Sequence, residues 1–261
     1  MTKEDLQRYK QWFDEFCKSF YAENSEDQQN ILLKEIHTAK VCENMTEIAK
    51  TALDNECAVM LAEAIALFHD VGRFPQYARY KTFKDSRSVN HGLLGAETLD
   101  ELGILTGLPD KEQRTISAAV KYHNAYAIPD KQSDDVIKFL RLVRDADKLD
   151  IWRVFIEYYA VPIEKRASVV AQEYPDEPNY SLNLCDMLLD GKMIPTNKVR
   201  TLNEYKLLQL SWIYDLNFKA SFELVLKRDY INEMTRYLPK DDQIKQINQT
   251  LTAYVIRKAQ A

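Results

Sequence analysis

An all-α fold is what this sequence predicts, and three observations predict it. Glycine and proline are scarce, at six and eight residues in 261. Alternating Val, Ile and Thr runs are few, and Leu, Ala, Glu and Lys are abundant. The length is that of one large domain or one domain with an appendage, and residues 1–261 are expected to form a single all-α domain. The first helix falls over Asp5–Tyr21, where Leu6, Tyr9, Phe13, Phe16 and Phe20 recur at helical spacing. Asn24-Ser25 breaks it, and a second helix runs from about Glu26 to Lys50. A strongly apolar helix follows from Glu56 to His69, stopped by Gly72 and Pro75. Residues 73–90 are polar, basic and aromatic (Arg73, Tyr77, Arg79, Tyr80, Lys81, Lys84, Arg87) and read as a long connection, a kind more often functional than idle. Helices resume at about His91–Leu102, Asp110–His123 and Ser133–Asp147. The second half reads as helices at Ile151–Tyr159, Asn197–Phe218, Ser221–Tyr237 and Asp241–Lys258. Tyr174-Pro175-Asp176-Glu177-Pro178 interrupts them, and Asp190-Gly191 with Pro195 marks a further turn. There is no internal repeat, low-complexity tract or sustained heptad, so the chemistry is expected in the first 150 residues.

Composition narrows the function classes. Thirty-five Lys and Arg against 40 Asp and Glu leave a net charge of −5. That argues against a nucleic-acid coat or a polybasic membrane binder, yet leaves room for a small anionic substrate met by a few local cations. Cys17, Cys42, Cys57 and Cys185 lie far apart, with neither CxxC nor zinc-finger spacing. The charged start Met-Thr-Lys-Glu-Asp lacks the apolar segment of a signal peptide, and no window approaches the roughly 18 apolar residues that a membrane span needs. A cytoplasmic protein with reduced thiols is the expectation.

All four histidines, His37, His69, His91 and His123, fall within one stretch, each on the apolar stripe of its helix. His69 follows Leu61 and Ile65, with Asp70 beside it; His123 continues Ile116, Ala119 and Val120. His91 heads a stripe of Leu94, Gly95, Thr98 and Leu102, and His37 shares a face with Val41 and Met45. Asp147 continues Leu140 and Val143. Two readings are open at this point. Each histidine can be a core residue bonded to backbone or water, and each aspartate a helix-end carboxylate. Alternatively the imidazoles and carboxylates converge on a cation, which offsets the cost of burying them. Spacing alone does not show that the five helices meet.

The order His37, His69-Asp70, His91, His123, Asp147 resembles the HD superfamily of metal-dependent phosphohydrolases. "ALFHDVGRF" is similar to its His-Asp-hydrophobic-Gly-basic segment, "NHGLLGAETL" to its histidine-to-Gly-Ala helix start, and "RLVRDADKLD" to its closing aspartate helix. The resemblance covers about residues 28–152 and implies an HD-type helical bundle with a C-terminal helical extension over about 153–261. It implies one metal held by His37, His69, Asp70 and Asp147, and a second held by His91 and His123, with Asp70 bridging. One or two divalent transition ions (Mn, Fe, Co, Ni or Zn) suit thiolate-free N/O ligation. The implied activity is hydrolysis of a phosphomonoester or phosphodiester, of a nucleotide or other small metabolite, by a metal-bound hydroxide. Asp70, Arg73 and Lys148 are the catalytic candidates, and Arg73, Lys81 and Arg87 the substrate-binding ones. Tyr77, Tyr80 and Tyr122 are candidates to stack on a base, and Asn124 and Asp145 to orient imidazoles. Two departures weigh against particular substrates. No Gly-Tyr-Pro motif supports the cyclic-di-GMP phosphodiesterases, and Arg73 stands where small deoxynucleotidase members carry an acid. Di-iron oxygenases of the HD type, such as myo-inositol oxygenase, and non-catalytic nucleotide sensors are the alternatives. The C-terminal helices carry no chemical motif; completing the bundle, covering the site and forming a homodimer interface are the uses open to them.

Overall fold

The computed structural model describes residues 1–162, 166–167, 169–171 and 174–261, and the described residues contain helices and no strand. They divide into two compact units. The first comprises Met1–Asp150 with Ala167–Val169, and the second Ile151–Arg166 with Val170–Ala261.

In the first unit the helices are α1 (Lys3–Lys18), α2 (Ser25–Ala52), α3 (Glu56–Phe68), α4 (Arg73–Tyr80), α5 (His91–Glu101) and α6 (Asp110–Tyr122). The seventh, α7 (Asp134–Ala160), starts there and continues past the unit boundary. Several begin on side-chain caps that satisfy the free amides of the first turn. Thr2 and Asp5 form a reciprocal capping box on α1. Asn24, Asn55 and Asn90 cap α2, α3 and α5. α3 is the centre of the unit: Ala62, Ala64, Ile65, Ala66 and Phe68 are wholly buried, with α1, α2 and α6 packed on it. The small alanines let those helices approach closely. The α1 aromatics finish the core, Tyr9 and Trp12 edge-on to Phe68, and Phe13 and Phe16 edge-on to Phe74.

Two sequence expectations change here. Residues 73–90 are not one connection, because α4 occupies Arg73–Tyr80. Pro75 lies in its first turn, where a missing N–H costs nothing, and Lys81 ends it in the left-handed conformation at φ 54°. The two helices expected at Ser133–Asp147 and Ile151–Tyr159 are one, α7. The run Asp147-Lys148-Leu149-Asp150 contains no helix breaker, and its polar groups find partners inside the unit.

In the second unit α8 (Leu182–Leu189), α9 (Leu202–Ser211), α10 (Lys219–Lys227), α11 (Tyr230–Thr235) and α12 (Asp242–Gln260) pack together, α12 touching α8, α10 and α11. The helix expected over Asn197–Phe218 is a 3-10 turn at Thr196–Lys198, then α9, then a 3-10 turn at Trp212–Asp215. Asp229, at φ 52°, divides the one expected over Ser221–Tyr237. Among the described residues no helix is long and apolar enough to cross a membrane.

Candidate metal centre

Five elements of the first unit deliver the six residues. His37 sits mid-way along α2; His69 is the C-cap of α3, with Asp70 next; His91 opens α5; His123 is the C-cap of α6; Asp147 lies on α7. Close packing at Gly72 brings two of these elements together. A Cβ there would stand 2.2 Å from the carbonyl oxygen of His91 and 2.6 Å from the amide of Gly95. Only a glycine lets the segment after His69-Asp70 lie directly on the first turn of α5.

Asp70 is the centre of the cluster. Its Oδ2 is 3.5 Å from His37 Nε2 and 3.7 Å from His69 Nε2. Its Oδ1 is 3.4 Å from His91 Nε2 and 3.7 Å from His123 Nε2. Each oxygen thus faces one pair of imidazoles, and two groups capable of holding an ion share the residue: His37, His69 and Asp70, and Asp70, His91 and His123. Asp147 Oδ1 closes on the first group at 3.1 Å from His37 Nε2 and 3.7 Å from His69 Nε2.

The protons are assigned by what stands behind each ring. His69 Nδ1 is 2.6 Å from the Ala66 carbonyl, and His123 Nδ1 is 2.8 Å from the Val120 carbonyl. A carbonyl only accepts, so both Nδ1 atoms donate and both Nε2 atoms keep a lone pair in the neutral ring. His37 Nδ1 donates to Asp150 Oδ2 at 2.7 Å, and His91 Nδ1 donates to Asp85 Oδ2 at 2.8 Å. In the neutral rings all four Nε2 atoms therefore keep a lone pair that points inward. Those of His37 and His69 are 3.3 Å apart, and those of His91 and His123 3.1 Å. Lone pairs facing one another at that separation repel unless a proton or a cation lies between them, so the donor set fits divalent ions.

The electrostatics agree. Burial, partly opposed by Asp70 and Asp147, pulls His69 down to about 4. Burial together with the charge of Arg73 pulls His91 down to about 3, so at neutral pH both rings are neutral, the form that ligates. For His37, burial and Lys34 act downward, but Asp147 and Asp150 outweigh them and raise it above its ordinary value. Burial acts upward on Asp70, yet the cations Lys34 and Arg73 hold it well below the usual carboxylate range. Four buried histidines beside ionised aspartates are costly without a compensating cation.

The other candidates are placed differently. Arg73 Nε is 3.4 Å from Asp70 Oδ1, while its Nη1 donates to Gln76 Oε1, the Phe83 carbonyl and Asp85 Oδ1. It braces the cluster from within the protein. Lys148 is buried on α7, its Nζ 3.2 Å from the Arg144 carbonyl. Lys81 turns outward onto Asp27 at 2.6 Å, and Arg87 lies exposed in the 3-10 turn Asp85–Arg87. Tyr77 is core, its hydroxyl donating to Asp27 and accepting from Asn30. Asn124 donates to Asp85 Oδ2 at 3.1 Å, and Asp145 is fully buried on α7.

Sequence reasoning missed Lys34, Asp85 and Asp150. Lys34 Nζ is 2.7 Å from Asp70 Oδ2 and lies over the Phe83 ring. Lys34 and Asp150 could have been found three positions from His37 and Asp147 on the same helix faces. Nothing in the sequence singles out Asp85, one acid among 40 and outside any apolar stripe.

The first unit is thus all-α and holds in its core two His/Asp groups that could each take a metal ion. The family model described as "HD domain" matches residues 35–152, a little under half of the chain, and the cluster fits that family's metal-binding pattern. The match over this stretch suggests the superfamily of metal-dependent phosphohydrolases. No curated protein and no solved structure matches the chain.

Proposed function

We propose that the chain is a metal-dependent phosphohydrolase acting on a phosphomonoester or phosphodiester of a nucleotide or another small metabolite. The observation that carries this reading is the Asp70 carboxylate, with each oxygen turned to a different pair of imidazoles. His37, His69, Asp70 and Asp147 would hold one ion and Asp70, His91 and His123 a second, with Mn, Fe, Co, Ni or Zn suited to nitrogen and oxygen donors without thiolate. When bound, such ions supply Lewis acidity toward phosphoryl oxygens and a nucleophile from water at neutral pH.

The chain's own residues do the positioning. The backbone carbonyls of Ala66 and Val120, with Asp150 and Asp85, fix all four rings with Nε2 inward. Arg73 steadies Asp70 and Asp85 together. Lys34 is the cation best placed to meet a substrate phosphate. Its side chain is 15% exposed, its ammonium touches Asp70, and a four-carbon stem lets it turn from that carboxylate to an incoming anion.

Metal-reconstituted protein should release inorganic phosphate or a monoester from at least one member of a nucleotide and sugar-phosphate panel, and chelation should abolish the release. Iron-loaded protein that consumes oxygen and hydrolyses nothing in the panel would overturn the proposal in favour of oxygenase chemistry. Tight nucleotide binding without turnover would overturn it in favour of sensing.

A further inference from the structure

We propose that Asp85 is a positioning residue that sets the affinity of one ion position alone, that of Asp70, His91 and His123, so that the two positions fill unequally. The inference rests on the two-ion reading above. The two halves of the cluster are built alike. Each has one imidazole whose Nδ1 donates to a carbonyl three residues back, His69 to Ala66 and His123 to Val120. Each has one whose Nδ1 donates to a carboxylate, His37 to Asp150 and His91 to Asp85. The carbonyl-backed pair is set by local helix geometry. The carboxylate-backed pair is where the halves differ, because a carboxylate behind a ring fixes its tautomer and makes its inward nitrogen a stronger donor to metal.

Asp150 belongs to α7 and its side chain is 1% exposed. Asp85 belongs to a three-residue 3-10 turn and is 31% exposed. Solvent screens its influence on His91 as it cannot screen that of Asp150, so the position behind Asp85 is the weaker one. Asp85 is nonetheless a built partner. Beyond His91 it accepts from Arg73 Nη1 at 3.1 Å, Gln76 Nε2 at 2.9 Å and Asn124 Nδ2 at 3.1 Å, joining α4, the start of α5 and the end of α6. Those bonds hold the carboxylate behind the ring although the turn itself is short.

The test is calorimetric titration of the ion-free full-length protein with Mn²⁺ at neutral pH, with elemental analysis of the loaded product. Wild type should take two ions with separable affinities. Asp85→Asn should weaken the weaker event about 10–100-fold and leave the tighter one within about twofold. Asp150→Asn should do the converse, and Asp85→Glu, which keeps the carboxylate, should return most of the lost affinity. Circular dichroism melts of the ion-free variants check that they fold, and Asp85→Ser, which also removes the carboxylate and should weaken the same event, carries the test should Asp85→Asn not fold. Wild-type affinities at both positions in Asp85→Asn, or equal weakening of both, would overturn the role given to Asp85. A wild type that takes up a single ion would overturn the two-ion reading itself, before any variant is compared.

Discussion

A carboxylate has two oxygens and an imidazole one inward lone pair, so only an aspartate can serve both halves of this cluster, and Asp70 stands where it can. Asp70→Ala is therefore expected to abolish metal uptake at both positions, while His91→Ala empties one. Elemental analysis of the two purified variants checks this; equal stoichiometry in the two would contradict it. At this scale the sequence was legible wherever a polar residue broke an apolar stripe. His37, His69, His91 and His123 occupy core faces of their helices, and the structure brings all four to Asp70. Residues that act on the ligands were less visible. Asp85 lies in a turn, and the charged neighbours Lys84 and Arg87 disguise it as part of a solvated stretch. Arg73 and Lys81 were legible as cations, but their partners, Asp85 and Asp27, depend on contacts across helices that spacing does not encode.

Elements are placed by how closely their backbones can approach. At Gly72, between α3 and α4, the His91 carbonyl oxygen lies 2.2 Å from where a Cβ would stand. Gly72→Ala should push α5 away and cost about 3 kcal/mol or more, since the clash is with backbone rather than a flexible side chain. Urea unfolding would measure this, and a loss under about 1 kcal/mol would show that the segment yields easily. The starts expected from breaks and apolar stripes at about Glu26, Glu56, His91 and Asp110 lie within a residue of those observed, and the structure adds Asn24, Asn55 and Asn90 as the caps of three of them. Two readings failed for one reason, which is that polar sequence was taken to mean solvent. Arg73–Tyr80 is polar yet helical, with Phe74, Gln76 and Tyr77 buried, and Lys148 and Asp150 are buried in the middle of α7.

On the scale of the whole molecule, folding and function are linked through charge. In the first unit, ions that bind only the folded state stabilise it by about 2.7 kcal/mol at a hundred times the dissociation constant. Chelation should thus lower Tm by about 5–10 °C in wild type and leave Asp70→Ala unmoved; calorimetric scans with and without chelator check it. The second unit has a charge problem of its own. Lys206 is buried, its Nζ bonded to Asn203 Oδ1 and the Tyr237 carbonyl, with the Tyr159 ring 4.5 Å away. Burial lowers its pKa from 10.5 to about 8, with Asp176 opposing and Arg166 assisting. Below about 8 the folded and unfolded chains both carry this proton and the burial penalty stands in full; between about 8 and 10.5 only the unfolded chain carries it. The stability of wild type relative to Lys206→Met should therefore rise across that window. Denaturant unfolding at several pH values would show it, and a flat difference would contradict it. Whether Asp70 joins two ions, as proposed, is read from anomalous scattering by crystals of the full chain grown with Mn²⁺. Two peaks about 3.5–4 Å apart, one on each side of Asp70, are expected; one peak alone, or none within bonding reach of Asp70, would rule out a shared carboxylate.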